Sequence, residues 1–251
     1  MQRLMEGRTT LVTGASRGIG AATARLLAQH GARVVINYLE SSEAAGDVLD
    51  DIVRAGGQAI AAQADVRDPE QVCAMVNGAI DLVGHIDTLV LNASIPFAVA
   101  PFSEYTWETF EEKLRGELGA AFHCCKALVP AMIERGEGCI IAVSSGLSRR
   151  PDNGFCAHST AKSGLDGFMR SLANELGPHG IRVNVVAPGL TLTDATSWMP
   201  DEHKDAAARS TPLRRNAAPE DVAGAILLLA SSEARFLTGL YMPVSGGALM
   251  P

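Results

Sequence analysis

The sequence predicts an α/β fold, a doubly wound and mostly parallel sheet with helices on both faces. Three observations predict it. Strand-like and helix-like segments alternate along the whole chain. Several of the strand-like runs are continuous Val, Ile and Leu, as strands covered on both faces must be. Right-handed crossovers between such strands then wind the sheet in both directions.

The elements follow in order. Thr9 to Thr13 is a short apolar run that passes at once into glycines. Ile19 to His30 has helical spacing, with Ile19, Ala22, Leu26 and Leu27 on one side, and Gly31 closes it. Arg33 to Asn37 is the second strand, and Glu43 to Arg54 the second helix, ended by Gly56 and Gly57. Gln58 to Gln63, Pro69 to Val83 and Thr88 to Leu91 repeat the pattern. A long helix is expected over Trp107 to Glu134, interrupted near its end by Pro130. Cys139 to Val143, a helix over Ser159 to Leu176, and Arg182 to Ala187 follow. Pro219 to Leu229 reads as a helix with proline in its first turn, and Leu240 to Val244 as the seventh strand.

No linker, repeat or low-complexity stretch divides the 251 residues, so one domain over 1–251 is expected. The stretch from Leu190 to Asn216 is polar, proline-interrupted and weakly periodic. It reads equally as a substrate lid over 190–216 or as an ordinary surface excursion.

Composition excludes several classes. A formal charge of -7 argues against a nucleic-acid partner. No apolar run approaches the ~18 residues a membrane span needs. Met1 to Arg8 lack the apolar core of an export signal, so a cytoplasmic protein is expected. The five cysteines form no Cys-x-x-Cys pair and no metal spacing, and read as small apolar thiols in a reducing compartment; no metal site is expected.

Thr13-Gly14-Ala15-Ser16-Arg17-Gly18-Ile19-Gly20 joins the first strand to the first helix. Glycines there let the backbone turn tightly and approach a pyrophosphate seated on the helix N terminus. The tip of the second strand reads Asn37-Tyr38-Leu39-Glu40-Ser41-Ser42, without the acid at the tip that holds the ribose hydroxyls of NAD. Arg17 could pair with a 2′-phosphate and Ser41 or Ser42 could donate to it, which favours NADP, against Glu40 nearby.

With these motifs the chain resembles the short-chain dehydrogenase/reductase family, especially its 3-oxoacyl-[acyl-carrier-protein] reductase-like members. The likeness also rests on Asp65-Val66, Asn92-Ala93-Ser94, Ser144-Ser145, Lys162, Gly180 to Asn184, Pro188-Gly189 through Thr193, and Pro219 to Ala223. It implies a single-domain Rossmann fold with seven strands. It further implies that Asp65 and Val66 contact the adenine and that Asn92 and Ala93 line the cofactor cleft. Pro188, Gly189, Thr191 and Thr193 would hold the nicotinamide amide, and Lys162 the ribose. A homotetramer or homodimer, built through the long central helices and last strand, is implied as well.

The catalytic positions depart from the family. Members carry Asn, Ser and Tyr-x-x-x-Lys; here Ser145 and Lys162 keep their places, His158 stands for the tyrosine and Glu117 for the asparagine. Leu91 and Ser94 replace the usual Asn and Gly of the turn after the fourth strand.

An imidazole ~6 Å from one ammonium and one carboxylate would feel two opposing effects of roughly two pKa units each at an effective dielectric of about 20. They would largely cancel, leaving His158 titrating near neutrality with Glu117 as its partner. On this reading the chain moves a hydride between NADPH and a carbonyl or alcohol, a 3-oxoacyl thioester, carrier-bound or not, or a polyketide-like ketone among the candidates. Ser145 donates to the carbonyl oxygen, His158 delivers the proton, and Lys162 sets the field.

Two alternatives stand beside it. One is a dinucleotide-binding protein without redox chemistry: a scaffold, sensor or partner subunit. The other is a hydrolase or lyase using Ser145, His158 and Glu117 as nucleophile, base and orienter, although no Gly-x-Ser-x-Gly elbow is present. His30, His85 and His179 are expected in solvent or at helix ends. Trp198, Met199 and Phe155 are candidates for a substrate mouth, and Met132 and Met169 for the core.

Overall fold

The computed structural model describes residues 3–250; Met1 and Gln2, the first two of the segment read for export, and Pro251 lie outside it. Seven strands form one sheet: β1 (Thr9–Val12), β2 (Arg33–Tyr38), β3 (Gln58–Gln63), β4 (Thr88–Leu91), β5 (Gly138–Val143), β6 (Ile181–Pro188) and β7 (Tyr241–Val244). Their order is β3-β2-β1-β4-β5-β6-β7 and every neighbouring pair is parallel. Seven α-helices accompany them: α1 (Gly18–Gln29), α2 (Ser42–Arg54), α3 (Pro69–Val83), α4 (Trp107–Arg135), α5 (Cys156–Leu176), α6 (Asp201–Ser210) and α7 (Pro219–Ala230).

The continuous apolar strands are explained by two cores. Successive side chains of a strand point to opposite faces. Leu11, Leu89, Ile140 and Val183 therefore join one core with α3, α4 and α5. Val12, Val90, Ile141 and Val186 join the other with α1, α2 and α7. Met132 and Met169 are core residues, as expected.

Four expectations need correction. Pro130 does not interrupt α4, which runs through it to Arg135. Proline removes one hydrogen bond, but the turns around it are held by buried Leu128 and Met132 and by the left-handed Gly136 that closes the helix. Helix α5 begins three residues before Ser159, the expected start, whose amide donates to Phe155 O at 2.8 Å inside the helix. His158 thus lies in the first turn, one turn from Lys162. The segment 190–216 is not irregular throughout, since it contains α6. That helix buries no residue and so shows no apolar stripe; Asp201 and Glu202 in its first turn and Arg209 in its last suit the helix dipole instead. His30 is buried rather than solvated, its carbonyl accepting from Met5 N at 2.9 Å.

The chain leaves β1 for β2 and β3, then crosses back to place β4 on the other side of β1. Strand order reverses between β1 and β4, and the loops beyond their carboxyl ends splay to either side. A crevice at that point is where doubly wound sheets bind ligands.

Candidate functional site

The glycine-rich turn sits at this crevice. Gly14 and Gly18 have φ of +60° and +51°, which side chains rarely adopt. A Cβ on Gly14 would stand 2.9 Å from Ala93 Cα, so β1 and β4 deliver their loops into direct contact. A Cβ on Gly20 would collide with the Gly14 carbonyl and lie 2.5 Å from Asn92 Nδ2. The N terminus of α1 carries neither a side-chain cap on Arg17 nor an acid in its first turn. Its free amides face no anion of the chain's own, the arrangement that suits a pyrophosphate. The residues present therefore fit a dinucleotide.

Several of the sequence-predicted cofactor residues turn out to shape this turn. Asn37, at the end of β2, is buried; its Oδ1 accepts from Gly14 N at 3.1 Å and its Nδ2 donates to Ala64 O at 3.1 Å. Its side chain pins the glycine turn to the sheet and is not free for a ligand. Asn92 Nδ2 donates to the carbonyls of Thr13 and Gly14 at 2.9 and 3.0 Å. Thr13 Oγ1 in turn accepts from the amides of Asn92 and Ala93. Val66 is buried in the core, and Asp65 is clasped by Arg67 at 2.6 Å, which holds its carboxyl below the usual range. Arg17 reaches across to the Ser41 hydroxyl and, among the described residues, has no acid as partner.

From the far side, Pro188 ends β6 and Gly189 continues its line, Gly189 N donating to Val244 O at 3.0 Å. Thr191 is buried. Thr193 comes over the glycine turn, since a Cβ on Gly18 would lie 3.3 Å from its Cγ2. Ser16 and Ile19 are half-buried in the same turn.

The second half of the site is electrostatic. Glu117, on α4, is buried with Lys113 Nζ 2.5 Å from Oε2 and Lys162 Nζ 2.6 Å from Oε1. Ile95 N also donates to Oε2 at 3.3 Å. Lys113 is fully buried, and its remaining hydrogens face Ile95 O at 2.7 Å and Ser94 Oγ at 3.4 Å. Lys162 donates to Val143 O at 2.7 Å, the last residue of β5. Burial opposes ionisation of Glu117, yet the Lys162 and Lys113 ammonium groups outweigh it and hold the carboxyl down to about 2.

His158 stacks on Phe97, ring centroids 4.4 Å apart and planes 24° from parallel. Its Nδ1 is buried without a hydrogen-bond partner. Burial, then Lys162 and Lys113, push its pKa down to about 3, against the upward pull of Glu117. The expectation of an imidazole poised near neutrality is therefore corrected. Glu117 is bound by two lysines, not offered to the histidine, and no hydrogen bond or ion pair joins the two. The ring is neutral at ordinary pH.

Ser145 Oγ accepts from Leu147 N at 3.1 Å, which leaves its own hydrogen to give. No contact links Ser145, His158 and Glu117 into a nucleophile–base–orienter relay, so the hydrolase alternative loses its geometry. Phe155 packs near Phe97, centroids 6.0 Å apart, while Trp198 stands half exposed with its Nε1 on Ala195 O.

Two residues escaped the sequence reading. Lys113 could have been found, since it lies four residues before Glu117 on one helix face. Phe97 sits in an irregular loop and carries no sequence signal. Of the other histidines, His85 is half exposed, 3.5 Å from Asp87, and His179 lies in a short 3₁₀ turn. Among the described residues no cluster of His, Cys, Asp or Glu could hold a metal, no helix is long and apolar enough to cross a membrane, and all five cysteines are free.

The family described as enoyl-(acyl carrier protein) reductase matches residues 14–248. L-Rhamnose 1-dehydrogenase (NAD(P)(+)) of Sphingomonas sp. (strain SKA58) is 39% identical over 249 residues, covering 98% of this chain and 97% of that protein. The 3-oxoacyl-[acyl-carrier-protein] reductase of Synechocystis sp. is 37% identical, covering 98% of each. Among solved structures, 7 alpha-hydroxysteroid dehydrogenase complexed with NADH and 7-oxo glycochenodeoxycholic acid superposes with a TM-score of 0.93 at 31% identity, over 100% of this chain and 97% of that one. Fold, crevice and relatives agree: the chain belongs to the short-chain dehydrogenase/reductase family.

Proposed function

We propose that the protein is an NADP-dependent oxidoreductase that moves a hydride between the nicotinamide and a carbonyl or alcohol. One observation carries the reading. A continuous line of contacts runs from the glycine turn through Ala93 and Ser94 to Lys113, Glu117 and Lys162, so the dinucleotide crevice and the polar site form one cavity wall. Gly14, Gly18 and the α1 N terminus would hold the pyrophosphate. Arg17 and Ser41 would hold the 2′-phosphate, and the free third hydrogen of Lys162 a ribose hydroxyl.

When bound, the dinucleotide supplies the hydride. Ser145 gives its free hydrogen to the carbonyl oxygen and fixes its position. The excess of ammonium over carboxylate beside His158 stabilises negative charge growing on that oxygen. The same growing charge offsets the ammonium groups that keep the imidazole neutral. His158 therefore takes up a proton from solvent water as that charge grows, passes it to the oxygen and returns to the neutral ring. In the reverse direction the neutral ring is already a base. The Phe97 and Phe155 rings beside it favour an apolar or ring-bearing carbonyl, a 3-oxoacyl thioester or polyketide-like ketone among them.

The two lysines on Glu117 favour a second reading, a dinucleotide-binding protein without redox chemistry, because burial and the lysines outweigh the upward pull of the carboxylate on the imidazole. Stopped-time assays with NADPH and a panel of ketones separate the two. Oxidation of NADPH by the native protein, lost at least ~100-fold in His158→Ala, is expected. A large rise in rate for His158→Tyr, with no turnover by the native chain, would instead mark the histidine as a lesion.

A further inference from the structure

Lys113 is the least explained residue of the site. It is wholly buried, it belongs to no motif, and an ammonium is costly to bury unless its charge and hydrogens are matched. Here all are: the hydrogens go to Glu117, Ile95 O and Ser94. Its Nζ also lies 5.1 Å from the centre of the Phe97 ring, on which His158 stacks. Lys113 and Glu117 together are neutral, so the pair takes the place of the family's uncharged asparagine and leaves Lys162 as the net charge.

We propose that Lys113 is a positioning residue, the counter-charge that cancels Glu117 where it sits on Lys162, so that the pocket beside His158 keeps one net positive charge. The proposal deepens the oxidoreductase reading and rests on it for its chemical purpose. The charged groups that act on the imidazole are Lys162 on its own helix and Lys113 and Glu117 on α4. The loop after β4 faces it with the uncharged Phe97. Tyr105, nearby, donates its hydroxyl to the Ala98 and Gly154 carbonyls, and Cys156 lies half a turn earlier on α5.

The test reads the ring itself. Full-length native protein, Lys113→Gln, Glu117→Gln and the double variant are labelled at histidine, and the His158 signal is identified by its absence in His158→Gln. NMR titration should find the ring of the native protein neutral down to about pH 5. Lys113→Gln, which keeps a donor for Ile95 O, removes one positive charge and should raise the titration by at least about one unit. Adding Glu117→Gln to it restores the net charge and should reverse the rise, while Glu117→Gln alone should not raise it. A ring that ignores Lys113→Gln, or stays raised in the double variant, overturns the proposal.

If Lys113→Gln cannot fold, thermal unfolding decides. A double variant more stable than it supports the counter-charge role, and one equally damaged refutes it. None of these readings needs turnover. A ring that behaves as expected in a protein that oxidises no NADPH would leave Lys113 in place and remove the redox function; turnover with an unmoved ring would do the opposite.

Discussion

At the scale of single residues, His158 carries a stability cost that pH exposes. Its ring is held to about 3 in the folded protein, against about 6.5 in the unfolded chain. Above pH 6.5 neither state binds the proton and stability is unaffected. As pH falls from 6.5 towards 3, the unfolded chain takes up a proton that the folded one refuses, so stability drains over that window. Urea unfolding at pH 5 should show His158→Gln more stable than the native protein by roughly 2 kcal/mol, with the gap closing at pH 7.5. Glu117 acts at lower pH: held to about 2, it contributes stability that is complete above its unfolded value and is lost as pH drops through about 2. Arg17 gives a second test. With no acid bound to it, Arg17→Ala should weaken NADPH binding about tenfold or more and leave NADH unchanged, as read by fluorescence titration. Equal losses for both would place the 2′-phosphate elsewhere. The motif residues were legible because backbone geometry and spacing dictate them. The state of His158 was not, because it depends first on burial and then on Lys162 of its own helix and Lys113, which reaches it from α4.

At the scale of elements, strands and long helices followed from apolar runs and periodicity, most bounds falling within one or two residues. The failures share a cause. Helix α6 has no buried face, and the start of α5 has no side-chain cap at Phe155, so neither writes the pattern that periodicity reads. Pro130 shows the converse, a local breaker overruled by the packing of Leu128 and Met132. The glycine turn is the element where sequence and structure bind most tightly. Gly20→Ala must displace the Gly14 carbonyl or the Asn92 amide that braces it. Such overpacking should lower stability by about 1–3 kcal/mol and weaken dinucleotide binding together, measured by denaturant unfolding and cofactor titration. Asp68→Ala tests an ordinary helix start: its carboxylate accepts from Glu70 N and Gln71 N, and its loss should lower stability by about 1 kcal/mol with cofactor affinity untouched.

At the scale of the whole molecule, the order of the strands could not be read from local pattern, and the structure supplies it. A run of apolar residues says that a strand is buried, not which strand lies beside it. The surface adds an argument of its own. Phe122 on α4 is 50% exposed and lies 6.3 Å from Phe168 on α5, and Phe236, just before β7, is 99% exposed with Leu228 and Leu237 also open. Large aromatic surface outside the crevice is the kind that suits contact with other chains. Both patches fall on the long-helix pair and the last-strand edge, where the expected homotetramer or homodimer would form. Light scattering should therefore give a mass that is a multiple of 26.3 kDa. Phe122→Asp, which buries a charge if that face is paired, should halve it or lower it further while the fold persists. A native protein of single-chain mass would remove the assembly and leave the crevice chemistry intact, because every residue proposed for catalysis and cofactor binding comes from one chain.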